Sequence, residues 1–295
     1  MPALGFIGAG RIAQALARGF SAAGLRVAAV ASRTPDSARK LAQVAPGCIA
    51  VATPQDVLAH ADLVFLTVPD DAIAATAAAL RLGPGQALVH CSGASEIGLL
   101  EPAARGAADA RIGGFHPLYQ FASLEDDARN LAGCSITIEA TEPLAGRLRD
   151  LAVALSCKPL RIPPDARMLY HASAAYGAGY VLALLSEAVA VWNAIGLDEQ
   201  QTLDAMWPMI EGSIASARKK GLSGALAGPI SRGDAGVVAK QAALLGELGG
   251  DHAQLFAALG KRALALTRRR PAAAQPPEAA LEAIEASLDA AARQG

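Results

Sequence analysis

Disulfide and structural-metal chemistry are the first things missing. The 295-residue chain holds four cysteines, Cys48, Cys91, Cys134 and Cys157, far apart and with no CxxC pair. That spacing gives neither a disulfide framework nor a zinc signature. An excess of charge of one sign is missing too. There are 26 Lys and Arg against 27 Asp and Glu, a formal net charge of −1. Such a balance gives no electrostatic case for nucleic acid or a membrane surface. The opening MPALGFIG has no basic stretch followed by a long apolar run. No apolar run of membrane-spanning length is free of polar or glycine interruptions. The expectation is a soluble, cytoplasmic protein in a reducing compartment. Aromatic residues are scarce, at 4%, while 53% of the chain is apolar. Alanine makes up much of that share, which favours helices packed closely through small side chains. At roughly 100–200 residues per domain, the length predicts two domains.

The first half alternates short apolar runs with helical patterns. Strands are expected at Ala3–Ile7, Val27–Ala31, Leu63–Val68, Ala87–His90, Ile112–Phe115, Ser135–Glu139 and Pro159–Ile162. Helices are expected at Arg11–Ala23, Ser37–Ala45, Ala72–Leu82 and Pro143–Leu155. This order predicts an α/β fold: a doubly wound, mostly parallel sheet covered on both faces. Ligands of such sheets bind beyond the carboxyl ends of the strands. The segments to read are therefore GAGRIA, ASRT, VPDD, HCSG and GFHPLYQF.

Gly8-Ala9-Gly10-Arg11-Ile12-Ala13 fits G-x-G-x-x-A between a strand and a helix. Gly8 permits the tight turn and Gly10 lets backbone approach a pyrophosphate. Ala13 keeps the helix near the strand, and the helix N-terminus offers free N–H groups. Dinucleotide sites that take NAD place a carboxylate at the end of the second strand. Here that position reads Ala31-Ser32-Arg33-Thr34, with no carboxylate before Asp36. A guanidinium and two hydroxyls suit a 2′-phosphate, which points to NADP(H). Val68, Pro69 and Asp70 follow the strand expected to flank the cofactor.

Ile162-Pro163-Pro164-Asp165 ends the alternation, and the rest is helical. One long helix is expected from Ala166 to about Ile195, with Gly177 and Gly179 inside it. Asp198-Glu199-Gln200-Gln201 has the form of a capping box. Pro208 is expected to kink the next helix, and 221–233 to form a loop. Helices follow at Ala235–Leu248 and His252–Arg268. The three arginines at its end, Arg268 to Arg270, read as a solvated helix end. The division expected is 1–162, a Rossmann-type domain; 163–270, a helical substrate and dimerisation domain; and 271–295, a linker with a short terminal helix.

GFIGAGRIA, LTVPDDAI, HCSG, GFHPL, YHASAAYGAGY and GPISRGD occur in that order. The chain thereby resembles, over about residues 3–268, bacterial Rossmann-like proteins with a DUF2520 C-terminal domain. These look like relatives of pyrroline-5-carboxylate reductase and of the 6-phosphogluconate dehydrogenase superfamily. The resemblance implies a Rossmann domain, an all-helical domain that often makes a homodimer, and a small-molecule substrate.

Several residues carry candidate chemistry. Hydride transfer to a carbonyl or imine needs a positioned proton donor and limited water. His116 follows a strand on the cofactor side, and imidazole titrates near neutrality. A structural histidine in a proline turn is an equally good reading. His171, in the first turns of the long helix, is a second candidate, set against a core or interface histidine. Ser92 and Gly93 of HCSG are candidates for substrate contact, with helix capping as the alternative for Ser92. Arg232 of GPISRGD suits a substrate carboxylate. Lys240 suits an acid, or an exposed surface lysine. No metal cluster is expected. The expected function is NADP(H)-dependent reduction or oxidation of a small, carboxylate-bearing carbonyl or imine. A ketopantoate-type 2-oxo acid reductase and a non-catalytic NADP-binding sensor are its rivals.

Overall fold

Residues 2–121, 131–163 and 165–293 are described in a computed structural model. Apolar runs bounded by turn residues form the central strands. These are β1 (Leu4–Ile7), β2 (Val27–Ala31), β4 (Leu63–Leu66) and β5 (Ala87–His90), and every residue in them is buried. Burial on both faces is what a covered parallel sheet requires. With β3 (Ile49–Ala50), β6 (Arg111–Pro117), β7 (Ser135–Ala140) and β8 (Lys158–Arg161) they make one sheet, ordered β3-β2-β1-β4-β5-β6-β7-β8. All neighbours are parallel except β6 and β7. The chain order reverses direction across the sheet between β1 and β4, the switch point where such folds bind ligands.

One face carries an aromatic cluster. Phe65 stacks on Phe6 at 5.3 Å and meets Phe115 edge-on at 5.4 Å, with Phe20 tilted against it at 5.4 Å. Phe20 comes from α1 (Arg11–Ala22), so this cluster fixes the helix after the glycine loop to the sheet. Four of the chain's six phenylalanines are spent here. The opposite face is aliphatic, with Ile7, Val64, Leu66, Leu88 and Leu100 among its buried residues.

Some elements were not anticipated. β3 has two exposed residues and no apolar period to announce it. The helix Pro54–Leu58 (α3, after α2 at Pro35–Val44) is announced by a capping box of Thr53 with Asp56. The segment before β6 adds a short helix, Glu101–Ala104 (α5, after α4 at Asp70–Ala79). β6 also runs on to Pro117. Antiparallel pairing of His116 with Thr137 and of Pro117 with Ile136 prolongs it, so His116 is the penultimate residue of a strand rather than part of a loop. After β7 comes α6 (Leu144–Ala154).

The expected long helix is two helices. α7 (Arg167–Gly177) ends where Ala178 leaves helical geometry, at φ −131° and ψ −89°, and α8 (Gly179–Asn193) begins next. Glycines on both sides of Ala178 make the break inexpensive. Pro164, in the segment before it, lies outside the described residues. The same point divides the chain into compact units, Met1–Ala178 and Gly179–Gly295.

In the second unit, Asp198 caps α9 (Glu199–Ala225) reciprocally with Gln201. The helix passes Pro208 and breaks instead at Gly221, whose φ is +71°. The expected loop contains a short helix, Pro229–Arg232 (α10). α11 (Ala235–Glu247), α12 (His252–Arg268) and α13 (Glu278–Ala291) share one core. Leu281, Ile284 and Leu288 present one face of α13 to Val238, Ala253 and Leu264, so the terminal helix belongs to this core. The arginine run is not simply solvated. Arg268 bridges Glu278 and Glu285, and Arg270 donates to the carbonyls of Ser223, Ser231 and Leu226.

Residues 167–193 are long and apolar enough to cross a membrane, with a mean hydropathy of 1.5. The break at Ala178 interrupts the hydrogen-bonded backbone that a span needs. Glu187 within the run accepts from or pairs with Nδ1 of His252 at 2.6 Å. Replacing Phe65 by alanine should lower stability by about 3–5 kcal/mol, the usual scale for a buried aromatic. Chemical denaturation measures this, and an unchanged midpoint would refute the central role of the cluster.

Candidate active site

The turn after β1 is built around Gly8. Its φ is +100°, and a Cβ there would lie 2.6 Å from the carbonyl oxygen of Thr67. The Thr67 hydroxyl donates to the carbonyls of Ile7 and Gly8, and the Gly8 N–H donates to the Ala31 carbonyl. The turn is thus pinned to both neighbouring strands. Gly10 is different: a Cβ on it would meet nothing within 4 Å. It faces open space at the N-terminus of α1, which has no side-chain cap and no acidic residue in its first turn. Uncapped N–H groups and a positive dipole end suit a phosphate.

That space belongs to a cavity of about 590 Å³. Gly8, Ala9, Gly10, Arg11 and Ile12 line it, with Ser32, Arg33 and Thr34 from the end of β2 and Val68, Pro69 and Asp70 from the end of β4. The eleven residues expected around a dinucleotide therefore share one cavity. Phe121 also lines it and was not anticipated. Arg33 is exposed and has no ion pair among the described residues, whereas Asp36 pairs with Arg39. The shape and donor set fit a dinucleotide phosphate.

The second group of residues lies beyond β5 and β6. A Cβ at Gly93 would stand 2.7 Å from Nδ1 of His171 and 2.8 Å from Nε2 of His116. Only glycine leaves room for both rings above this turn. The two imidazoles are 6.3 Å apart, nearly perpendicular. Nδ1 of His116 is 3.0 Å from the hydroxyl of Tyr170. Ser92 directs its hydroxyl into its own turn, accepting from the N–H groups of Ala94 and Ser95.

Beneath them lies Arg167, fully buried. Its Nε and Nη2 donate to one oxygen of Glu139 at 2.8 and 2.6 Å, and its Nη1 donates to the Ser92 carbonyl at 2.8 Å. A Cβ on Gly114 would come within 2.5 Å of the guanidinium, so Gly114 makes its seat. Burial pushes His116 down to about 4, and the His171 and Arg167 charges add to this. Burial and Arg167 bring His90 down to about 4 as well. Both are neutral near pH 7. A neutral imidazole has one N–H to donate and one nitrogen to accept.

His116, His171, Ser92 and Gly93 are brought together. Arg232 and Lys240 belong to the other compact unit. Arg232 pairs with Asp234 at 2.8 Å, and Lys240 is exposed on α11. Reasoning from the sequence missed Tyr170, Arg167, Glu139 and Thr137. A signal for the first two existed: Arg167, Tyr170 and His171 are spaced i, i+3, i+4, which puts them on one helix face. The described residues hold no metal-binding cluster of His, Cys, Asp and Glu.

A glycine-turn cavity and a histidine pair at the carboxyl edge of one sheet are what a Rossmann-type nucleotide-binding fold presents. Comparison with known proteins agrees. Residues 3–93 match the family of NADP oxidoreductases, coenzyme F420-dependent, and residues 134–263 match the domain of unknown function DUF2520. The chain thus carries an NADP-oxidoreductase-type match in its first third and a DUF2520 match behind it. No curated protein sequence matches it. A protein of Thermotoga maritima superposes with a TM-score of 0.73 at 25% identity, covering 90% of this chain and 100% of its own. A 1-pyrroline-5-carboxylate reductase of Streptococcus pyogenes gives 0.60 at 14%, covering 99% and 98%. A reductive aminase of Aspergillus terreus, in complex with NADPH4, gives 0.60 at 18%, covering 100% and 95%.

The histidine environment has a consequence for acid stability. Unfolded, His116 titrates near 6.5; folded, near 4. Between these values the unfolded chain binds the extra proton, so stability falls as pH drops through that window and is level above it. His116→Gln should make the loss between pH 6.5 and 4 smaller than in the parent. Urea denaturation at several pH values tests this; identical pH profiles would mean His116 titrates normally.

Proposed function

We propose that the protein is an NADP(H)-dependent oxidoreductase that transfers a hydride to or from a small carbonyl or imine, with His116 as proton donor. The observation that carries this reading is the pairing of two features on one sheet edge. A glycine-lined cavity suits the dinucleotide, and the neutral His116 ring stands above Gly93 beyond the adjacent strands. When bound, the nicotinamide supplies or takes up the hydride. The chain's own residues hold the substrate heteroatom near Nε2 of His116 and deliver its proton. His171 shares the same floor and is the second candidate for contact with the substrate.

The ribose end supports NADP over NAD. Arg33 is the unpaired cation at the end of β2, while the nearest carboxylate, Asp36, pairs with Arg39. Arg33→Ala should weaken NADPH binding by roughly 10- to 100-fold, the scale of a lost charged hydrogen bond, and leave NADH nearly unchanged. Fluorescence titration with both nucleotides measures this, and equal losses would sink the assignment.

A carboxylate on the substrate has less support. Every nitrogen of Arg167 is engaged within the protein, and the described residues offer no other cation touching His116. A panel of small oxo acids, ketones and imines, read by NADPH absorbance without coenzyme F420, tests the activity and its substrate class together. Tight NADPH binding with no turnover on any of them would favour a sensor.

We also infer a soluble, cytoplasmic homodimer formed through the helical unit. No residue of α8 is buried, and Val181, Leu182 and Leu184 are exposed on it. Trp207, Met209 and Ile214 are exposed on α9. Apolar faces of this extent mark interfaces rather than solvated surface. Sedimentation at micromolar concentration should give twice the chain mass; a monomer would refute the dimer.

A further inference from the structure

The function proposed above leaves Tyr170 and Thr137 without a task. Tyr170 stands on α7, one turn after the buried Arg167, and its ring meets that of His116 edge-on at 5.7 Å. Its hydroxyl is 3.0 Å from Nδ1 of His116. Thr137 is fully buried on β7, directly across the ladder from His116. Its hydroxyl has no hydrogen-bond partner among the described residues. On the far side of His116, Nε2 faces Gly93 and the His171 ring. The imidazole therefore has an inner nitrogen against a phenol and an outer nitrogen over the HCSG turn.

We propose that Tyr170 and His116 form a two-step proton relay: Nε2 of His116 gives its proton to the substrate heteroatom, and Nδ1 takes the proton of the Tyr170 hydroxyl. This rests on the oxidoreductase reading. As the substrate carbon gains hydride and forms its C–H bond, the C=O or C=N electron pair moves onto the heteroatom. That atom binds the Nε2 proton. The Nδ1–H bond forms as the Tyr170 O–H bond breaks. His116 stays neutral throughout, with its tautomer exchanged. Tyrosinate remains and regains its proton from water.

The surroundings suit each stage. Burial raises the pKa of Tyr170, so the phenol is protonated at rest and able to donate. The Thr137 hydroxyl and the Arg167 charge work against that rise, and both favour the tyrosinate once it forms. A buried neutral histidine is a weak base for holding a second proton, which is why a donor behind it matters. Thr137, buried beside this pair, holds the Tyr170 pKa down, and a donation from its hydroxyl to the phenolic oxygen would direct the phenol's own proton at Nδ1. Tyr170 acts through His116 and touches no substrate.

Nitrogen NMR of histidine-labelled full-length protein tests the resting state without substrate. The His116 signals, assigned by their loss in His116→Gln, should show the Nε2–H tautomer near neutral pH. In Tyr170→Phe the Nδ1 signal should shift to that of an acceptor without a donor, with the His171 signals retained. An Nδ1–H tautomer in the parent, or no change in Tyr170→Phe, overturns the relay. With a substrate found by the panel, Tyr170→Phe should lower kcat by about tenfold or more, within the range of general acid catalysis, at nearly constant KM. The solvent isotope effect should change from a two-proton to a one-proton dependence on deuterium content. Unchanged kcat and proton inventory would also overturn it. If the parent turns over no member of the panel yet shows the expected tautomer, the oxidoreductase reading fails and the relay with it, while the resting Tyr170–His116 hydrogen bond stands.

Discussion

The ion pair of Arg167 with Glu139 holds the candidate active site in place. The guanidinium is fully buried and directs all three nitrogens to acceptors, two to Glu139 and one to the Ser92 carbonyl. It thereby ties the first turn of α7 to β7 and to the turn after β5. Removing one member of such a pair leaves a charge stranded away from water, commonly at a cost of about 3–5 kcal/mol. The bond also sets position. Tyr170 and His171 follow at i+3 and i+4, so a helix anchored at Arg167 must aim both at the same side. One side chain thus fixes the distances from Tyr170 to His116 and from His171 to Gly93.

The same cation sets the protonation of its neighbours. A buried and a half-buried histidine beside a guanidinium cannot hold further positive charge cheaply, and both fall to about 4. The group is therefore built to work with neutral imidazole. It can donate from one nitrogen and be replenished at the other. An exposed imidazolium would instead supply its proton directly and titrate near neutral pH. Glu139 does not restore charge to His116, because its carboxylate is occupied by Arg167.

That the residues of the glycine-turn cavity come together was legible in the sequence because they are local. Each of its clusters is a continuous stretch at the end of one strand: GAGRI, SRT and VPD. Strand alternation alone brings those ends to one edge. Phe121, the last residue of GFHPLYQF, escaped because only His116 of that segment carries obvious chemistry and an aromatic four residues past β6 reads as packing. The histidine half was legible only in part. HCSG, HPL and YH stood out, but their meeting depends on β7 running antiparallel beside β6. That pairing sets Thr137 opposite His116 and Glu139 opposite Gly114. Two residues of an amphipathic-looking strand, Ser135 to Ala140, gave no hint of this. The long helix misled for a physical reason. Apolar period continues through Ala178, while the backbone breaks there between two glycines.

Glycine does two different jobs in this architecture. Gly8 is needed for its backbone angle, and Gly10 opens onto the cavity. Gly93 and Gly114 instead lend the volume of a missing side chain to imidazole and guanidinium rings. Gly113 does the same for the β7 backbone, whose Glu139 carbonyl would lie 2.8 Å from an added Cβ. The doublet Gly113-Gly114 is weak strand sequence, with little side chain to pack. It stands where a bulky residue would have made a better core. The gain is that β7 can approach closely enough to carry Thr137 and Glu139 under the site. The parallel strands β1 to β6 point their carboxyl ends one way, and β7 returns along the last of them. Its middle, rather than its end, then meets the His116 end of β6. A site assembled in this way combines loops around the glycine-turn cavity with a rigid strand beneath His116, the proposed proton donor. Rigidity belongs there, since proton transfer depends on heavy-atom distances of about 2.6–3.2 Å.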